Sequence, residues 1–417
     1  MEIKRDIYLN RLINRMHNGL IKVITGIRRS GKSYLLFSIF RNYLLSKGIR
    51  EDHIISIELD RFENKPYRNP VTILEFIKRR VADDQNYYIF LDEVQLLDEF
   101  ADVLNSLLHI RNADVYVTGS NSRFLSKDII TEFRGRGDEV HIYPISFMEF
   151  MSVYQGDKYE GWSSYVQFGG LPLTVTMSTD EQKTEYLTRL FEETYIKDII
   201  ERHHIEKKQE LNDLINVLAS GIGSLTNPSK IESTFKSAIH SDISLNTVRS
   251  YIDYLKDAFL IAEANRYDVK GRKYIGTPQK YYFEDIGLRN ARLGFRQIEE
   301  THLMENIIFN ELRMRGFAVD VGVVTKRSRA ETEIPTKKHL EIDFVANQGS
   351  RRYYIQSAFS IPDEEKRQQE KASLVNVGDS FKKIIIVKDI VKPWHDNDGI
   401  LTMNIYDFLL NGNSLEL

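Results

Sequence analysis

A Gly, four intervening residues and a Gly-Lys-Ser triplet stand at Gly26-Ile27-Arg28-Arg29-Ser30-Gly31-Lys32-Ser33. An apolar run, Ile21 to Ile24, precedes them, and a helix-forming run, Tyr34 to Leu45, follows. This is the spacing of a P-loop in its strand–loop–helix context. Glycines let backbone N–H groups turn inward around a polyphosphate, and the start of the next helix adds partial positive charge. Lys32 would reach the β- and γ-phosphates, and Ser33 would bind Mg²⁺. The expected nucleotide-binding set is therefore Gly26 through Ser33 with the adjoining Tyr34. A second element of the same chemistry is the apolar run Tyr87-Tyr88-Ile89-Phe90-Leu91, which ends in Asp92-Glu93. Asp92 is placed to hold Mg²⁺ opposite Ser33, and Glu93 to polarise an attacking water as general base. These two motifs, Walker A and Walker B, imply binding of ATP or GTP with Mg²⁺.

Positioning such residues needs a sheet. Strand-like runs at 21–25, 53–59, 87–92, 114–118 and 138–143 alternate with helical stretches near 32–46, 72–84 and 98–109. That alternation predicts an α/β domain with a parallel sheet covered on both faces and ligands at the carboxyl ends of its strands. At 417 residues the chain is long enough for two or three domains. Expected divisions are 1–155 for the P-loop domain, 156–290 for a helical lid and winged-helix domain, and 291–417 for a restriction-endonuclease-like α/β domain.

Composition narrows the chemistry. No cysteine is present, which excludes disulfides, thiolate nucleophiles and Cys-based zinc sites and fits a cytoplasmic location. The net charge of −3 gives no global nucleic-acid signature, so any such surface is local. No run is long and apolar enough to suggest a membrane span.

One extra strand lies between the P-loop strand and the acidic one, and a Glu follows the Asp. That order resembles the additional-strand P-loop ATPases, including the AAA+ class. Further motifs follow in sequence: Thr118-Gly119-Ser120, Gly135-Arg136 with Pro144-Ile145-Ser146-Phe147, Gly169-Gly170-Leu171-Pro172, and Tyr282-Phe283-Glu284-Asp285-Ile286-Gly287-Leu288-Arg289. With Thr25–Ser33 and Leu91-Asp92-Glu93-Val94-Gln95 they resemble a family of prokaryotic AAA+-like P-loop ATPases with a C-terminal region of unassigned function, the DUF4143 type. The resemblance implies ATP as the nucleotide, Mg²⁺ as cofactor, and an ATPase that moves its downstream domains. It also makes Ser120 or Asn121 the contact to the γ-phosphate or the lytic water. Arg136, or failing it Arg134, becomes an arginine finger that stabilises charge on the transferred phosphoryl group. A finger acting in trans would mean a homo-oligomer; a protein partner is a further expectation.

Residues 229–262 read as a winged-helix unit, with a helix over Leu245–Asp257 capped by Ser244. The strands Leu260–Arg266 and Gln279–Phe283 would make the wing. Lysines, arginines and tyrosines interleave through 266–282, a pattern suited to gripping phosphates and stacking on bases, so DNA is an expected partner. In the last region a helix with Glu305, a strand with Asp343 and a strand with Gln356-Ser357-Ala358 outline a PD-(D/E)XK nuclease. Its third motif lacks both the acid and the lysine. A nuclease-like fold with lost chemistry is the expectation.

Overall fold

The five strand-like runs of the first third pair in parallel into one sheet in the computed structural model. The structure describes residues 3–119, 135–239, 241, 243–328 and 336–417. These strands are β1 (Ile21–Thr25), β2 (Ile54–Glu58), β3 (Tyr87–Asp92), β4 (Ala113–Thr118) and β5 (Gly137–His141), in the order β2-β3-β4-β1-β5. β1 and β3 are buried along their whole length, which is why both read as mainly apolar runs; β1 is interrupted by Lys22, which is buried and paired with Asp114 of β4. The helices Pro70–Arg80 and Phe100–Leu108 bury Ile73, Ile77, Val103, Leu104 and Leu107 in one cluster with Ile55, Ile89 and Val115 of the sheet. The helix after the P-loop runs 32–46, with a wider π turn over Leu35–Phe40. Among the described residues no helix is long and apolar enough to cross a membrane.

The contacts divide the chain into two compact units, Met1–Ile145 with Asp257–Phe259, and Ser146–Lys256 with Leu260–Leu417. The second unit opens with a capping box: Ser146 Oγ accepts the Glu149 N–H and Glu149 Oε2 accepts the Ser146 N–H. A helical layer follows, including Lys158–Phe168, Asp180–Leu190, Lys208–Ser220 and Leu245–Asp257. An eight-stranded mixed sheet then forms from β6 (Ile261–Asp268), β7 (Lys273–Phe283), β8 (Ala318–Ser328), β9 (Thr336–Gln348), β10 (Arg351–Ala358), β11 (Lys382–Val387), β12 (Trp394–His395) and β13 (Leu401–Asn404). Its order is β12-β13-β11-β10-β9-β8-β6-β7. The hairpin expected as a wing is thus β6 and β7, and it continues the same sheet as the last third of the chain, because β6 pairs in parallel with β8.

Two of the sequence motifs lock this unit together. Asp285 Oδ2 accepts the Gly170 N–H at 2.8 Å and its Oδ1 accepts the Leu288 N–H at 2.9 Å. Gly287 must be glycine there: a Cβ would lie 2.1 Å from the Phe168 carbonyl oxygen. Asn290 closes the joint by donating to the Val166 and Gln167 carbonyls. The Gly-Gly-Leu-Pro and Glu-Asp-Ile-Gly-Leu-Arg strings are two halves of one buried packing joint.

Candidate functional site

At the carboxyl end of β1 the chain turns through three residues of left-handed φ, Gly26 at +136°, Arg29 at +64° and Gly31 at +93°. Such turns aim successive N–H groups into one concavity, the geometry that receives phosphate. Gly26 has a second constraint, since a Cβ would lie 2.2 Å from the Ile142 carbonyl oxygen. Lys32 is buried, and its ammonium donates to the Gly26 carbonyl at 2.9 Å and the Ile27 carbonyl at 3.1 Å. Ser30 Oγ is buried with no hydrogen-bond partner among the described residues. A loop that leaves a buried hydroxyl unsatisfied and folds a lysine onto its own carbonyls fits an anion such as a polyphosphate.

The acidic end of β3 meets this loop. Ser33 Oγ donates to Asp92 Oδ1 at 3.1 Å, and Thr118 at the end of β4 donates to the same oxygen. The Thr118 hydroxyl in turn accepts the Glu93 N–H at 3.2 Å. Burial pushes the Asp92 carboxyl above its usual range, while the bonds from Thr118 and Ser33 pull it back toward the ionised form. Glu93 sits at φ +48°, an uncommon conformation for a residue with a side chain, and its Oε2 accepts from the Gln95 amide. Ser33 and Asp92 are the residues that could hold Mg²⁺. Register adds to them: β2 pairs with β3 so that Glu58 lies beside Asp92. Carboxylate oxygens of Glu58, Asp60 and Asp92 lie within 4.8 Å of one another, and that concentration of charge favours a cation at this edge.

The expected site residues divide accordingly. The P-loop set, Asp92 and Glu93 come together, with Tyr34 exposed at the start of the helix. Arg136 does not join them. Its carbonyl accepts the Ile21 N–H at 2.9 Å and its Nη1 donates to Asn105 Oδ1 at 3.1 Å. That puts it at the amino end of β1, about 13 Å along the strand from the P-loop, at about 3.3 Å per residue. Arg136 therefore cannot serve its own chain's nucleotide. Ser120, Asn121 and Arg134 lie outside the described residues. Sequence reasoning passed over Glu58 and Asp60; Thr118 and Gln95 stood in its motifs, but neither was given its contact with Asp92 or Glu93.

A second polar centre lies in the other unit. Lys280 of β7 donates to Glu305 at 2.8 Å, forms an ion pair with Glu341 at 2.8 Å and lies 3.5 Å from Asp343. Tyr282 donates to Glu305 Oε1 at 2.6 Å, and the Ser357 N–H donates to Asp343 Oδ2 at 2.8 Å. Burial lowers the affinity of Lys280 for its proton, but the attraction of Glu305, Asp343 and Glu341 more than reverses this. Burial pushes Asp343 up, against the pull of Lys280. The expected third motif is elsewhere. Ala358 packs with Tyr354, Leu374 and Val377, and Gln356 accepts from Ser373, so both face the helix Glu364–Val375. The acid and cation beside Glu305 and Asp343 are instead Glu341 and Lys280.

Comparison with known proteins matches two regions of the chain. An AAA domain model matches residues 18–151, and a domain of unknown function, DUF8612, matches 159–299. The latter differs from the DUF4143 suggested by the motif order. An uncharacterized protein of Haemophilus influenzae is 33% identical over 414 residues, 98% of each chain. The uncharacterized protein MJ1544 of Methanocaldococcus jannaschii is 27% identical over 386 residues, 89% of this chain and 80% of that one. Among solved structures, Cdc6p of Pyrobaculum aerophilum aligns over 72% of this chain and 97% of its own at 11% identity, with a TM-score of 0.29. The chain belongs, with the Haemophilus influenzae protein, to a family of AAA+-like P-loop ATPases that carry a C-terminal region of unknown function.

Proposed function

We propose that the N-terminal unit hydrolyses Mg-ATP and that turnover drives movement of the C-terminal unit. The observation that carries this reading is the chain of contacts from Ser33 to Asp92 to Thr118 to Glu93, set against a P-loop whose Ser30 and Lys32 are suited to an anion. In this reading Lys32 exchanges its loop carbonyls for β- and γ-phosphate oxygens, and the loop N–H groups hold the rest of the polyphosphate. Mg²⁺, held by Ser33 and Asp92, supplies charge neutralisation. Glu93 accepts the proton of the attacking water, and Thr118 fixes both the Asp92 carboxylate and the Glu93 backbone. Ser120 or Asn121 completes the γ-phosphate contacts. Arg136 acts, if at all, on a neighbouring copy, which makes the working form a homo-oligomer. Adenine rests on the family membership.

The test is Glu93→Gln. Its ATP affinity should persist while turnover falls at least about a hundredfold, because the water loses its base and the phosphate cradle stays. Unchanged single-turnover hydrolysis would make Glu93 a structural acid. Mixing Glu93→Gln with Arg136→Ala protein should recover activity if Arg136 works in trans.

One observation favours a second reading, a DNA-associated switch with slow turnover. The β6–β7 hairpin exposes Lys270, Arg272, Lys273 and Tyr274. Nuclease chemistry in the last third is disfavoured, because the Lys280 ammonium occupies the space among the carboxylates that would gather a metal, 2.8 Å from Glu305 and Glu341 and 3.5 Å from Asp343.

A further inference from the structure

The turn joining β6 to β7 and the turn joining β9 to β10 line one cleft of about 720 Å³. It carries four cations, Lys270, Arg272, Arg351 and Arg352, against one carboxylate, Asp379. In a chain of net charge −3 this is a marked local excess. Some cations elsewhere in the same unit are compensated: Lys371 lies 2.8 Å from Asp396 and 2.6 Å from Asp398, and Arg292 lies 2.7 Å from Glu192. In the cleft Arg351 has Glu416 at 3.5 Å. Lys270, Arg272 and Arg352 have no carboxylate within 4.0 Å among the described residues. Asp379 is itself engaged, accepting the Tyr354 hydroxyl at 2.7 Å and the Phe381 N–H at 3.2 Å.

Arg352 is held in place without a counter-charge. Its Nε donates to Asn347 Oδ1 at 2.7 Å, and its guanidinium lies 5.6 Å from the Tyr267 ring and 5.3 Å from the Phe381 ring. Phe381 is 40% exposed, and Tyr274, edge-on to Tyr267, is 65% exposed. Uncompensated cations repel one another until an anion arrives, and exposed rings favour contact with another flat ring. A nucleotide chain supplies both, phosphates for the cations and bases for the rings. A cleft of this volume is in the range of small-ligand sites. A duplex offers its phosphates but not its bases, which are already stacked on one another.

We propose that this cleft binds a short single-stranded stretch of nucleic acid, with phosphates on Lys270, Arg272 and Arg352 and a base against Phe381. The site lies wholly in the C-terminal unit. It shares its ligand class with the DNA-associated reading but needs no ATP turnover.

Fluorescence anisotropy of the full-length protein with labelled oligothymidylate and oligouridylate tests it at low salt without ATP. Binding of either strand is expected, and the preferred one identifies DNA or RNA as the source. Lys270→Glu with Arg272→Glu should weaken binding at least about tenfold and flatten its salt dependence. Both residues are exposed, so folding is not at stake. Phe381→Ala should cost about fivefold or more through lost stacking. Lys32→Ala, although it removes ATP binding, should leave the oligonucleotide affinity as it is, which separates this site from the P-loop. Unchanged affinity in the double charge reversal would overturn the proposal. So would a duplex that competes as well as the single strand, or photocrosslinks confined to the N-terminal unit.

Discussion

Lys32 and Lys280 are both buried lysines, yet their surroundings make them opposites. Lys32 donates to the carbonyls of its own loop, beside a hydroxyl that has no partner among the described residues. Those bonds are weak enough for phosphate oxygens to replace. Lys280 has three carboxylates around it and a tyrosine completing the set. The ammonium itself then gains nothing from a ligand. The difference teaches that buried charge marks a binding site where its demands are left open, and a structural joint where they are closed.

Substituting each lysine should therefore produce opposite losses. Lys32→Ala should abolish tight Mg-ATP binding, by about a hundredfold or more, while the chain keeps its unfolding midpoint. Calorimetric affinity equal to that of the natural chain, in a folded variant, would sink the P-loop reading. Lys280→Met should leave ATP affinity alone and lower stability by about 3 kcal/mol, because breaking a buried cluster strands charge of one sign. Glu341 is partly exposed, so water relieves some of that cost and the lower end of the usual range applies. Urea unfolding measures it, and a second change, Asp343→Asn, should restore part of the loss.

A sharper form of the comparison asks whether the closed cluster can open. With Lys280 among Glu305, Glu341 and Asp343, no cleavage of linear, circular or single-stranded DNA is expected with Mg²⁺ or Mn²⁺, with or without ATP. Nicking that survives Lys32→Ala but vanishes in Asp343→Ala would make the second centre a working nuclease site and not a structural joint.

The two regions were unequally legible in the sequence. In the first, β1 and β3 are central strands buried on both faces, so burial writes itself as mainly apolar runs, broken in β1 by Lys22, with the functional residues at or just past their ends. Thr118, Asp92 and Ser33 meet because neighbouring parallel strands end at one level. The C-terminal sheet hides its order, because β6 pairs with β8 across more than fifty residues, Arg266 opposite Val321, and nothing local announces it. Lys280 was the costliest misreading. It sits in an interleaved basic stretch that looks solvated, but strand alternation turns Lys280 and Tyr282 to one face, toward Glu305. The third nuclease motif failed for the same reason, since Gln356 and Ala358 share the face opposite the one required. Arg136 was misplaced by topology: it precedes β5 rather than following β4's carboxyl end, and a parallel strand starts at the far edge.

The effect confined to the narrowest range of conditions concerns Asp285, the buried acid that joins the Gly-Gly-Leu-Pro turn to its helix. Burial pushes its pKa up to about 6, against the pull of N–H groups from Gly170, Leu288 and Gly287. An acid whose folded pKa is raised holds its proton more tightly folded than unfolded. Between the unfolded value near 3.8 and about 6 the native state therefore carries the extra proton, and stability falls as pH rises through that window. Integrated over the window the loss is about 3 kcal/mol, and above it the contribution is flat. Other carboxylates titrate nearby, so the measurement is a difference between the natural chain and Asp285→Asn, unfolded in urea at each pH. The amide keeps one acceptor oxygen, for either the Gly170 or the Leu288 N–H, and sets its NH2 against the other. That cost does not vary with pH and the amide cannot ionise, so the variant's stability relative to the natural chain should rise as pH increases from about 4 to 6. A constant difference across that range would mean that Asp285 stays ionised in its joint, held by its three N–H groups more strongly than burial opposes it.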